Sequence, residues 1–102
     1  MEFTQEHKNQ YLDDIALKTK QGIWLTEMAL MKEMRQLKEK KELLFELEQK
    51  LENKEFESVN EGKKQIQFVE DSISKIEEDI NQSHRLMADG AKELEMIEEY
   101  RN

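Results

Sequence analysis

Val59, Ile66, Ile73, Ile80, Met87 and Leu94 recur every seven residues, and a companion row three positions later holds Gly62, Val69, Ile76, Ser83, Gly90 and Ile97. Two such rows mark the a and d positions of heptads, the pattern by which a helix keeps one apolar stripe turned toward another helix. Sustained for about six heptads, the stripe is longer than the apolar face of most amphipathic helices in small globules. The second half of the chain is therefore expected to form one long helix that packs by coiled-coil rules. Its start is signalled by Ser58-Val59-Asn60-Glu61. This is a capping box, in which the Ser58 hydroxyl accepts the Glu61 N–H while the Glu61 carboxylate reaches back to Ser58.

The first half repeats the theme less cleanly. Ala16, Ile23, Leu30, Leu37, Leu44 and Leu51 are also seven apart, but the row four residues after them reads Lys20, Glu27, Met34, Lys41 and Glu48. Only one of its two stripes is dependably apolar. Between the halves, Asn53, Ser58, Asn60 and Gly62 gather residues that weaken a helix and favour caps and turns. A turn at about residues 53–58 is expected, with helix one over about 5–52 and helix two over about 59–100 in a single helical domain spanning 1–102.

A chain that reverses there pairs Leu51 with Val59, Leu44 with Ile66, Leu37 with Ile73, Leu30 with Ile80, Ile23 with Met87 and Ala16 with Leu94. The same reversal sets the basic stretch "KEMRQLKEKK" (32–41) beside the acidic stretch "EDSISKIEED" (70–79). Opposite charges flanking a seam commonly fix helix orientation, although each exposed pair contributes only about 0.2–1 kcal/mol. The expected fold is all-α: an antiparallel two-helix coiled-coil hairpin that assembles as a dimeric four-helix bundle. The alternative is a three-helix bundle with a break near Gly22, where glycine costs a helix about 1 kcal/mol relative to alanine.

Composition agrees with long helices. Charged residues make up 39% of the 102 residues and hydrophobic ones 36%, with no proline and three glycines. That is too polar for one thick core and close to the make-up of coiled coils. The formal net charge of −8 argues against direct binding to nucleic acid or to an anionic membrane surface. Absence of cysteine removes disulfide and thiolate chemistry and fits a reducing compartment. No stretch reaches the roughly 18 apolar residues of a membrane span, and the start "MEFTQEHKNQ" lacks a secretory pattern, so a cytoplasmic location is expected.

One segment departs from this polar background. "GIWLTEMALM" (22–31) carries the single tryptophan and two of the six methionines. Ile23 and Leu30 belong to the seam, whereas Leu17, Trp24, Met28 and Met31 form a second row to one side of it, broadened by Leu12, Ile15, Leu25 and Ala29. A helix apolar on most sides is normally surrounded by other helices, and two helices cannot surround one of their own. Leu17, Trp24, Met28 and Met31 are therefore the expected dimerisation or partner-binding residues. A second copy, a foreign helix, or an N-terminal third helix could cover them.

Catalytic chemistry is not signalled. His7 and His84 lie far apart in sequence, and the residue three before each is Thr4 or Asn81 rather than the glutamate of a carboxylate-bridged metal pair. No phosphate-binding glycine loop or calcium loop is present. No catalytic, cofactor or metal residues are expected, and the chain is read as non-enzymatic. Its expected function is that of a protein–protein interaction module acting as a scaffold, adaptor or small chaperone-like binder. The alternative is an acidic inhibitor whose carboxylates, such as Glu93, Glu95, Glu98 and Glu99, imitate a nucleic-acid backbone.

Overall fold

The computed structural model describes residues 4–101. Two long helices account for almost all of them: α1, Gln5–Glu52, and α2, Val59–Arg101, joined by a short turn into a helical hairpin with no strand among the described residues. α1 is rich in Glu, Lys, Leu, Gln and Met, all strong helix formers, α2 is rich in Glu and Lys, and no proline interrupts either. Thr4 caps α1: its carbonyl accepts the Lys8 N–H at 3.1 Å and its hydroxyl accepts the His7 N–H at 3.3 Å.

The turn is closed by backbone bonds. The Glu55 N–H donates to the Lys50 carbonyl at 2.9 Å and the Lys54 N–H to the Leu51 carbonyl at 3.2 Å, with Lys54 left-handed at φ 56°. This is a Schellman ending, in which the left-handed position is usually glycine because a Cβ there is crowded. Lys54→Gly is accordingly expected to stabilise the hairpin by about 1 kcal/mol, raising a thermal midpoint followed by circular dichroism by about 4–8 °C. At the far side of the turn the Ser58 carbonyl accepts the Gly62 N–H at 3.1 Å and begins α2. Among the described residues the cap is this backbone bond, without the side-chain bonds of the expected box.

Burial follows a 3–4 spacing along both helices, as a coiled-coil seam requires. On α2 the covered rows are the two expected ones, with Val69, Ile73, Ser83 and Ile97 buried. On α1 the second covered row lies three residues after the first, not four: Leu12, Thr19, Thr26, Glu33, Lys40 and Leu47. Two of its polar members have local solutions, since the Thr19 and Thr26 hydroxyls donate to the carbonyls of Ile15 and Gly22 at 3.0 and 2.9 Å. Each threonine thereby satisfies its hydroxyl within its own helix.

The expected pairing is also displaced. A Cβ built on Gly90 meets Ile23, and one built on Gly62 meets Leu51 and Phe56, so Ile23 faces Gly90 rather than Met87 and Leu51 faces Gly62 rather than Val59. Antiparallel helices set the a residues of one against the d residues of the other, which shifts partners by three positions from an a-on-a pairing. Val59, expected in the seam, is consequently exposed. The other expected seam positions, Ile23, Leu30, Leu37, Leu44, Leu51, Ile66, Ile80, Met87 and Leu94, are half-buried, and Ile73 is buried.

The three-helix alternative does not occur, because α1 continues unbroken through Gly22. A single glycine's cost is small beside the helix formers on either side of it. The hairpin divides into two compact units, one holding α1 up to Leu30 with α2 from Gln82, the other Met31–Asn81. In the first, Leu12, Ala16 and Ile97 form the core with Ile15 and Leu94 packed against them. In the second, Leu47, Val69 and Ile73 are joined by Leu37, Leu44, Ile66 and the turn residue Phe56. No large side chain among the described residues is fully enclosed, as expected of two helices with no third.

Candidate functional site

At about 100° per residue, the position after an a residue is turned well away from the seam. Leu17 follows Ala16, Trp24 follows Ile23 and Met31 follows Leu30, while Met28 sits four residues after Trp24 on the same side of α1. Their surfaces remain open: Leu17 is 58% exposed, Trp24 58%, Met28 51% and Met31 71%. Leu25 and Met34 are exposed beside them. Helix periodicity thus gathers Leu17, Trp24 and Met28 of the first unit on one face of α1, where each stays more than half exposed, and Met31 is exposed in the second unit. Scattered exposed apolar residues are ordinary, but a contiguous row of large ones, including the single tryptophan, is not.

In the first unit this face borders a shallow groove of about 510 Å³, where Leu17 and Lys20 stand beside Ala16, Leu94 and Ile97. Arg101 closes one end, ion-paired to Asp13 and 3.6 Å from Glu98. Glu93, Glu95 and Glu99 are exposed on α2, whereas Glu98 is engaged by Arg101.

The second unit carries an apolar groove that the heptad rows do not reveal. It measures about 370 Å³ and is lined by Lys40, Leu43 and Leu47 of α1 and by Lys64, Gln65, Phe68 and Val69 of α2. Leu43 and Phe68 fall outside both seam rows, so heptad periodicity does not mark them. Phe68, an exposed aromatic two residues after Ile66, was the available signal.

His7 is hydrogen-bonded at the α1 cap and His84 is exposed. Among the described residues no group of three or more His, Cys, Asp or Glu is arranged to hold a metal ion, and no helix is long and apolar enough to cross a membrane. No family model, curated protein or solved structure matches the chain.

Proposed function

We propose that this chain is a non-enzymatic, cytoplasmic interaction module that self-associates as a dimer through the α1 face of Leu17, Trp24, Met28 and Met31, and so serves as a scaffold, adaptor or small chaperone-like binder. The observation that carries this reading is the exposure of Trp24 with Met28 on a helix whose opposite side is already packed. Covering the open parts of these four side chains would contribute about 3–6 kcal/mol per copy before the cost of association. Tryptophan and methionine suit such a face, being favoured at interface centres and at adaptable binding surfaces. A second copy is the simplest cover, because a two-fold axis presents the same row from both sides and completes a four-helix bundle.

Sedimentation equilibrium tests the reading. The wild type is expected to be dimeric at micromolar concentration and Trp24→Asp/Met28→Asp monomeric, with equal helicity by circular dichroism. Identical association of the two proteins would exclude this face as the interface.

A further inference from the structure

We propose that the groove of the second unit binds an acidic amphipathic helix of another protein. Four of its lining residues are apolar: Leu47 and Val69 are buried, while Leu43 and Phe68 are exposed. The charged residues lining it are Lys40 from α1 and Lys64 from α2. This is unusual in a chain with 24 acidic and 16 basic residues. Among the described residues neither lysine takes part in an ion pair or a side-chain hydrogen bond.

Each helix thus gives the groove one lysine and one exposed apolar side chain within a turn of each other, Lys40 with Leu43 and Lys64 with Phe68. A trough between two helices accepts a third helix by ridge-into-groove packing. An occupant with apolar residues at i, i+3, i+4 and i+7 fills the floor, and carboxylates beside that row meet the lysines. Phosphate polymers suit the site less well, since two cations in a chain of net charge −8 give little long-range attraction. Glu39, Glu42, Glu46, Glu61 and Glu70 are near in sequence but do not line the groove, so the charges an occupant meets at its wall are those of the two lysines. Lysine stems also lie well along apolar surface while the ammonium stays in water. The groove differs from the α1 face of the proposed dimer, and together they give the module one surface for a second copy and one for a client.

The probe is a fluorescent synthetic helix of about 20 residues with Leu at i, i+3, i+4 and i+7 and Glu at the flanking positions, compared with its Lys counterpart. Anisotropy titration of the wild type is expected to show saturable binding of the acidic peptide at least tenfold tighter than of the basic one. Lys40→Glu/Lys64→Glu should reverse that preference. Phe68→Ser should weaken both peptides about tenfold, with helicity unchanged in each variant. Trp24→Asp/Met28→Asp should remove the dimer and leave peptide binding intact. Absence of saturable binding, or a preference indifferent to charge reversal, overturns the proposal. Loss of peptide binding in the Trp24→Asp/Met28→Asp protein also overturns it, by placing the peptide on the α1 face. A reversal that changes self-association instead of peptide binding overturns it too, in favour of a second copy as occupant.

Discussion

Val69→Asp is expected to bring the helical hairpin close to unfolding, and Val59→Asp to leave it stable. Both valines occupy the heptad rows of the second half, but Val69 is 4% exposed in the Leu47–Ile73 cluster and Val59 is 59% exposed in the first turn of α2. At position 69 the substitution removes about 1.5–3 kcal/mol of apolar burial and adds several kcal/mol for a carboxylate without a partner. A chain of this size is stable by about 5–15 kcal/mol in total. The loss at position 69 takes most of that margin. At position 59 the new carboxylate lies at a helix N-terminus, where negative charge is tolerated or mildly favourable. Urea unfolding followed at 222 nm by circular dichroism separates the two. Equal midpoints for the two variants would contradict a seam that contains Val69 and omits Val59.

Gly90→Ala and Gly22→Ala are expected to move stability in opposite directions. The intrinsic gain from replacing a helical glycine by alanine is the same at both, about 1 kcal/mol. An added Cβ meets nothing within 4 Å at Gly22, but at Gly90 it falls 2.7 Å from Cγ1 and 3.0 Å from Cδ1 of Ile23. Ile23 is β-branched and has few rotamers into which to retreat. Overpacking of this kind costs about 1–3 kcal/mol and outweighs the propensity gain. Gly22→Ala should therefore stabilise by up to about 1 kcal/mol, while Gly90→Ala destabilises by up to about 2 kcal/mol. In an Ile23→Ala background the Gly90→Ala penalty should vanish, a coupling that a double-mutant cycle on denaturation midpoints measures directly.

The sequence made the two helices and their reversal legible because seven-residue periodicity and the cluster of cap-forming residues are both local signals. Register was not legible. Constant spacing allows any pair of rows to be laid against each other, and only the a-against-d geometry of antiparallel helices selects Gly90 for Ile23. The second row of α1 was misplaced because its members Thr19, Thr26, Glu33 and Lys40 are polar, and a search for apolar stripes passes over them. Thr19 and Thr26 enter the seam because each hydroxyl bonds one turn back along its own helix. Phe56 escaped notice because it lies in the turn, outside any helical period, yet it packs on the second unit's core and lies where a Cβ on Gly62 would go. That Leu17, Trp24, Met28 and Met31 each lie off the seam could be read from periodicity alone, whereas the lysine-rimmed groove needed both helices in place.

The position of the two clusters relative to the turn has a kinetic consequence. Leu47, Val69 and Ile73 come together across the self-capped reversal at Lys54, whereas Leu12 and Ile97 must close a chain segment roughly four times longer. Loop-closure entropy rises by about 0.6 kcal/mol for each doubling of length, so bringing the distant ends together first is disfavoured by about 1 kcal/mol. Folding should start beside the turn and zip toward the termini, each layer shortening the loop that the next must close. The order of assembly is thus set by where the chain reverses.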